Sequence, residues 1–170
     1  LRLGSRFETM YQQNPASSVE GEFPLALLNR CDDYTRSFGQ FKPGATLVLG
    51  VDPAFRGGAA WVLWEWNGQT MTIVDYFFGT NIGLTGLREQ LLVNPITQYA
   101  PRYAVYESNR ESSVLEHPEV VSAVKSSRTV LKAIPTTWMN RGVGELRVGA
   151  MSQDMATGLI RFPAATPEDR

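Results

Sequence analysis

Three apolar runs separated by turn residues lie within residues 46–79, and they constrain the fold more than any other part of the chain. The first run, "TLVLGVD", is short and almost entirely apolar, which is typical of a strand at the centre of a covered sheet. The second run, "AAWVLWEW", is joined to the third, "TMTIVDYFFG", by Asn67-Gly68, a pair that favours a tight β-hairpin turn. These runs predict a three-stranded antiparallel meander over residues 46–52, 59–66 and 70–79.

The remainder of the chain alternates between helical and strand-like segments. We predict helices over residues 84–100, 112–127 and 144–158, strands over 102–108 and 128–135, and a short final element in "LIRFP". Pro95 is expected to end or kink the first helix, and Gly158 to close the last one. A meander followed by strand–helix crossovers predicts an α/β fold with a mixed central sheet, strand order 3-2-1-4-5, and helices on both faces.

Composition excludes several classes of protein. The 170 residues, 43% hydrophobic and 19% charged, suit one soluble globular domain, and no apolar run approaches the roughly 20 residues of a membrane span. The formal charge of −1 argues against nucleic-acid binding through bulk charge, although a local basic groove is compatible with it. A single cysteine, Cys31, excludes an internal disulfide and a cysteine-based metal cluster.

Two acidic residues end two of the predicted buried strands. Asp52 ends the first strand, Glu107 ends the fourth in "YAVYESN", and turn formers follow both. If these strands lie side by side and parallel, the two carboxylates meet at one edge of the sheet, where α/β proteins place their ligand sites. Asp75, on the third strand, is a weaker candidate. It is considered because the meander returns it toward the same edge.

Two converging carboxylates repel each other unless one is protonated or a cation binds between them. Oxygen ligands of this kind suit Mg²⁺ or Mn²⁺, and a two-metal site can activate a water and stabilise the leaving oxygen of a phosphodiester. Such chemistry needs little besides carboxylates, which fits a chain with one histidine. The alternative interpretation is that each acid only caps a turn.

The ordered set "LGVDPAFRGGAAWVLWEWNG", "VYESN" and "GLIRFP" resembles the nuclease domain of the large terminase subunit of tailed bacteriophages. That family has a ribonuclease H-like fold, and it cuts concatemeric double-stranded DNA during genome packaging. The resemblance implies that residues 1–45 are a lead-in or linker from a preceding ATPase domain. It implies that residues 46–170 are the nuclease domain, truncated before its C-terminal helix.

The resemblance also implies a set of metal ligands. In the family three acids bind the metals, and Asp52 and Glu107 match the first and the second. The third usually lies downstream of "RFP", so we expect it beyond residue 170. Asp154 and Asp169 are the acids nearest to the expected position, and neither is a convincing match.

Basic residues are candidates for phosphate contacts with DNA. The best of them, Arg56 and Arg110, each lie a few residues beyond a proposed metal ligand. Arg128 and Arg147 are further candidates.

By the same resemblance, the expected partners are double-stranded DNA, the ATPase domain of the parent protein, the portal and the small terminase subunit. The expected location is the cytoplasm of the infected bacterial host, without membrane attachment. Two other interpretations stay open at this point. One is an actin-like or sugar-kinase-like ATP-binding domain, in which a strand-Asp turn also precedes a hairpin. The other is a docking module without catalysis.

Overall fold

The predicted strands recur, with small shifts at their ends, in the computed structural model, which describes residues 23–54, 57–108, 112–135 and 151–166. The strands are β1 (Asp32–Asp33), β2 (Thr46–Asp52), β3 (Gly58–Trp66), β4 (Met71–Thr80), β5 (Tyr103–Ser108), β6 (Val130–Pro135) and β7 (Ile160–Pro163). The helices are α1 (Leu25–Arg30), α2 (Gly83–Arg88), α3 (Asn94–Tyr99), α4 (Pro118–Ser127) and α5 (151–156). The chain divides into two compact units, which are described separately below.

The larger sheet belongs to the unit formed by Lys42–Trp66 and Asp75–Thr137. Its strands lie in the order β4-β3-β2-β5-β6, with β4 contributing its second half. β2 is antiparallel to β3 and parallel to β5, and β5 is parallel to β6. The predicted fold class, an α/β fold with a mixed central sheet, is confirmed.

One face of this sheet packs against the helical segment that follows β4. Leu49 and Val51 of β2 and Tyr106 of β5 are buried on that face. Trp61 lies opposite Val51 in the antiparallel register, and its indole N–H donates to the carbonyl of Gln90 at 2.8 Å. The helical side of the core is apolar and fully buried at Leu87, Leu91, Leu92 and Ile96. Residues one position away on β2 therefore point to the other face, because side chains alternate along a strand.

Pro95 was expected to end or kink the helix predicted over residues 84–100, and the helical segment continues through it, so this proline does not end the helix. A π-helical segment, Glu89–Val93, lies between α2 and α3, and Pro95 sits in the first turn of α3. Proline lacks an N–H group and clashes with the carbonyl four residues earlier, and the wider π-helical turn before it accommodates both effects. The segment ends instead at Ala100, which adopts a left-handed conformation with φ 45°.

The helix predicted over residues 112–127 begins later than expected. Ser112–Glu116 forms a 3₁₀ turn, and α4 starts only at Pro118. His117 is extended because a residue that precedes proline disfavours the helical conformation. Its ring nitrogen Nδ1 accepts the backbone N–H of Glu119 and so caps α4.

The unit formed by Leu1–Phe41, Asn67–Val74 and Trp138–Arg170 contains the shorter strands. β7 pairs in parallel with β1 on one side and with the first residues of β4 on the other. Of the helix predicted over residues 144–158, residues 144–150 lie outside the described residues; Gly158, two residues beyond α5, has φ 77° and closes the helix as predicted. The N–H of Leu159 donates to Asp154 O and that of Gly158 to Met155 O, which is the pattern of a Schellman C-cap.

Across the residues that the structure describes, we find no helix of the length and apolar character that a bilayer crossing demands.

Candidate metal centre

The parallel pairing of β2 with β5 places Asp52 and Glu107 side by side. Val51 is the register partner of Tyr106, and the two acids are the next residue on each strand. Adjacent strands lie about 4.8 Å apart, and residues in register on parallel strands point to the same face. Both carboxyl groups therefore project from the carboxyl end of the sheet, on the face opposite to Val51, Trp61 and the helices. The structure thus brings these two acids together, as the sequence predicts.

The two carboxyl groups are close enough to hydrogen-bond with each other. An ionised carboxylate only accepts hydrogen bonds, so this contact requires one proton shared by the pair. The removal of water around Asp52, the negative charge of Glu107 and the hydrogen bond that the protonated Asp52 donates to Glu107 raise the pKa of Asp52 to about 6. In the absence of a cation, the pair thus holds a proton well above the pH at which an ordinary aspartate releases it.

The donor set of the pair fits a hard divalent cation. It offers carboxylate oxygens, and a cation placed between them would relieve the repulsion that otherwise keeps a proton there. The side chain of Asp52 is exposed and that of Glu107 is half-buried, so a hydrated ion can reach both. Ala60 is the register partner of Asp52 on β3, and its methyl group leaves room beside the carboxylate.

A third ligand is not found among the residues that the structure describes, where no three His, Cys, Asp or Glu side chains cluster. The expected third acid beyond residue 170 therefore stays a prediction.

Asp75 lies on the other face of the sheet from the acid pair. Its Oδ2 accepts a hydrogen bond from the hydroxyl of Tyr99 in α3, and its Oδ1 accepts the backbone N–H of Tyr76. The ring of Tyr99 also packs edge-on against Trp61 at 6.4 Å between centroids, which fixes this contact on the helical face. The structure does not bring Asp75 to Asp52 and Glu107, and the geometry gives it a role in joining α3 to β4.

The contact between Tyr99 and Asp75 predicts a loss of stability in the Tyr99→Phe variant. The substitution keeps the ring but leaves a half-buried carboxylate without its hydroxyl donor, and we expect a loss of about 1–2 kcal/mol in the free energy of unfolding. Burial and the hydrogen bond that the hydroxyl donates to Asp75 raise the pKa of Tyr99, so the hydroxyl stays protonated as a donor. Urea denaturation measures the loss. The matched control is Tyr103→Phe, because Tyr103 is 39% exposed. Equal stability of the two variants would contradict the role given to Tyr99.

The predicted DNA contacts are placed only in part. Arg128 is the C-cap of α4 and adopts a left-handed conformation with φ 55°. It precedes β6, whose first residue, Val130, pairs with Tyr103 at the start of β5. Because Glu107 lies four positions further along β5 than Tyr103, Arg128 lies roughly 13 Å or more from the acid pair along the sheet. Arg56, Arg110 and Arg147 lie outside the described residues.

One residue near the site was not singled out by the sequence analysis. Asn81 follows β4, and its backbone N–H donates to Gly57 O at 3.0 Å, in the turn between β2 and β3. It has φ 53°, a left-handed conformation that asparagine tolerates better than most residues. The only sequence signal is the turn-forming pair Asn81 and Gly83 in "TNIG".

The mixed sheet, in which two neighbouring parallel strands end in acids, is similar in fold to solved structures that include large terminase nucleases. The large terminase nuclease of thermophilic phage G20c with bound zinc has a TM-score of 0.56 and 10% identity, over 88% of this chain and 84% of that chain. The P22 large terminase nuclease domain has a TM-score of 0.53 and 7% identity, over 86% and 73% of the two chains.

The large terminase of a further thermophilic bacteriophage is also similar, with a TM-score of 0.52 and 10% identity. The match covers 89% of this chain but 34% of that one, so the shared fold is one part of a longer protein there. No protein-family model and no curated protein matches the sequence. The resemblance to large terminase nucleases predicted from the sequence is thus confirmed as a likeness of fold.

Proposed function

We propose that the chain is a metal-dependent endonuclease domain that cuts double-stranded DNA by hydrolysis of a phosphodiester. The observation that carries the proposal is the hydrogen-bonded pair of Asp52 and Glu107 at the carboxyl ends of adjacent parallel strands, with the pKa of Asp52 raised to about 6. A pair held in this state is suited to exchange its proton for a divalent cation. The likeness of fold to terminase nucleases supports the same activity.

Asp52 and Glu107 would hold Mg²⁺ or Mn²⁺, with the third ligand expected beyond residue 170. Two bound cations would supply Lewis acidity, polarising the phosphoryl oxygens and lowering the pKa of a water. Asp52 is the exposed member of the pair and would face the incoming phosphate. Glu107 is half-buried on a strand with neighbours on both sides, so it fixes the position of the site.

The biological setting of the proposed reaction is genome packaging, in which concatemeric viral DNA is cut to length. In that setting residues 1–45 join the domain to a packaging ATPase domain, and the portal and small terminase subunit act as partners. The reaction would take place in the cytoplasm of an infected bacterial host. This proposed setting and these proposed partners are supported by the resemblance of the sequence motifs and by the likeness of fold.

Conversion of supercoiled plasmid to nicked and linear DNA by the purified chain tests the proposal. We expect cleavage in Mn²⁺ or Mg²⁺ and none in excess EDTA, because the carboxylate pair cannot stabilise the transition state alone. Cleavage that persists in EDTA would contradict a metal-dependent reaction.

The alternative functions give different outcomes in parallel measurements. ATP binding without cleavage would favour an ATP-binding domain. Salt-sensitive DNA binding with neither cleavage nor cation binding would favour a docking module. Addition of the downstream segment of the parent protein separates a wrong assignment from a missing third ligand, since it restores cleavage only in the second case.

A further inference from the structure

The face of the larger sheet that carries the acid pair is more open than the face that packs against the helices. Glu107 shares its face with Val105 and Tyr103, because side chains alternate along β5. Val105 is half-buried and Tyr103 is 39% exposed, whereas Ala104 and Tyr106, which point to the helical face, are fully buried. Within the described residues, the acid pair therefore lies at one end of an accessible surface.

Lys132 of β6 lies on the same face as the acid pair. β6 is parallel to β5, and Lys132 is the register partner of Val105, so the two side chains point to the face that carries Glu107. Ile134, two residues further along β6, is the register partner of Glu107 itself. Strands lie about 4.8 Å apart and rise about 3.3 Å per residue, so the Cα atom of Lys132 lies roughly 8 Å from that of Glu107.

The surroundings of Lys132 leave its charge available to a ligand. The side chain is exposed, as are its neighbours on the same face of β6, Val130 at 57% and Ile134 at 44%. None of the ion pairs between described residues includes Lys132. On this face of β2, β3, β5 and β6, all of which the structure describes, the other charged side chains are the carboxylates of Asp52 and Glu107. Lys132 is therefore the one cation that these four strands present beside two acids.

Gly50 keeps the surface low between Lys132 and Asp52. Gly50 of β2 is the register partner of Val105, which is the partner of Lys132, so the three residues form one row across the sheet. A Cβ atom added to Gly50 would meet a single atom within 4 Å, the carbonyl oxygen of Val62 at 3.9 Å. No side chain rises from this position, so a DNA backbone that enters at the acid pair has room to continue across this row.

We propose that Lys132 binds a phosphate of the DNA strand that is cut, next to the scissile phosphodiester at the acid pair. The inference rests on the proposed nuclease function. Two carboxylates repel the phosphates on either side of the one that is cut, and a lysine at this position offsets that repulsion. Its ammonium group is a point charge on a flexible four-carbon stem, which suits a phosphate contact that carries no sequence information.

Lys132→Gln should weaken DNA binding more than the chemical step. The dissociation constant for a fluorescent DNA duplex, measured by anisotropy in an Asp52→Asn background, reports binding without cleavage. One phosphate contact contributes about 0.9 to the slope of log affinity against log salt concentration. We therefore expect this slope to fall by about 0.9 and the Kd to rise roughly five- to tenfold at about 0.1 M salt, equally for duplexes of different sequence. In cleavage, KM should rise by a similar factor while kcat stays within about threefold.

The sign of the charge separates phosphate binding from a structural role. β6 is the last strand of the sheet in the described part of the chain, and a lysine on an edge strand also discourages pairing with the edge of another chain. A charge of either sign serves that structural role, so Lys132→Glu would preserve it. Phosphate binding needs a positive charge. We therefore expect Lys132→Arg to keep the DNA affinity and Lys132→Glu to lose more of it than Lys132→Gln.

Lys125→Gln is the matched control, because Lys125 is also exposed but lies on α4, which packs against α3 on the helical side of the sheet. We expect its Kd and salt slope to equal those of the chain with both lysines. An unchanged Kd and slope in Lys132→Gln would overturn the proposal, as would an equal loss in Lys125→Gln or equal Kd values for Lys132→Glu and Lys132→Gln. DNA binding that depends on Lys132 without cleavage, even after addition of the downstream segment, would overturn the nuclease function alone.

Discussion

Asp52→Asn and Glu107→Gln are each expected to lower cation-dependent DNA cleavage by about a thousandfold or more. Each substitution replaces a carboxylate by an amide of nearly the same shape, so the fold is kept while a charged group that we propose as a cation ligand is lost. Removal of one such stabilising group from a hydrolytic site costs roughly 10²–10³ in rate, and loss of a ligand that also holds the cation costs more. Initial rates of plasmid nicking over a range of Mn²⁺ concentrations measure the effect.

Asp75→Asn is the comparison for the two ligand substitutions. It makes the same chemical change on the face of the sheet where Asp75 bonds to Tyr99. We expect it to lower stability and to retain cleavage. Cleavage by Asp52→Asn at the rate of the unsubstituted chain would remove the acid pair from the mechanism. A loss of cleavage and of cation binding in Asp75→Asn would restore the weaker expectation that Asp75 is a ligand.

The strands and the acid pair could be predicted from the sequence because both depend on local patterns. β2 has the bounds that its apolar run predicts, since a run closed by Asp52 and Pro53 leaves little choice for the end of the strand. Asp52 and Glu107 come together because parallel pairing aligns the ends of two such runs. The number of residues between them in the sequence does not affect this, because the strand topology alone brings the two acids together.

The face on which Asp75 lies could not be predicted in the same way. Thr72, Ile73 and Val74 are all buried, so β4 lacks the alternation that would assign its residues to faces. The partner that decides the matter, Tyr99, belongs to a helix whose course through Pro95 depends on a π-helical segment. A contact between side chains of a helix and a strand depends on how the two elements pack together. The periodicity of residues within one element cannot predict it.

The connection between Asn81 and Gly57 escaped sequence reasoning for a related reason. Its residues lie in two different turns, and each turn alone has an ordinary composition. The left-handed conformation of Asn81 is compatible with many turn types. Only the arrangement of β4 across β3 from β2 brings the two turns to one edge of the sheet.

The stability of the cation-free chain is expected to fall as the pH rises from about 4 to about 6 through the titration of Asp52. The pKa of Asp52 is about 6 in the folded chain and 3.8 as its ordinary value. A raised pKa in an acid means that the folded state binds the proton more tightly than the unfolded state. The stability that this proton contributes is therefore fully present below the ordinary pKa and lost above the pKa of the folded chain. Asp52→Asn should therefore be more stable than the unsubstituted chain at about pH 7.5, by about 1 kcal/mol because solvent screens an exposed carboxyl.

The proposed divalent cation should reverse this penalty, because it would occupy the position that the proton holds at lower pH. At a hundredfold excess over its dissociation constant, Mn²⁺ is expected to raise the free energy of unfolding by about 2.7 kcal/mol at about pH 7.5. At about pH 5 the gain should shrink, since Asp52 must first release its proton. Urea denaturation of the unsubstituted chain and Asp52→Asn, with and without Mn²⁺ at both pH values, measures these gains. An equal gain in the free energy of unfolding of the two proteins would mean that the cation binds elsewhere. Only the unsubstituted chain keeps both carboxylates of the proposed site.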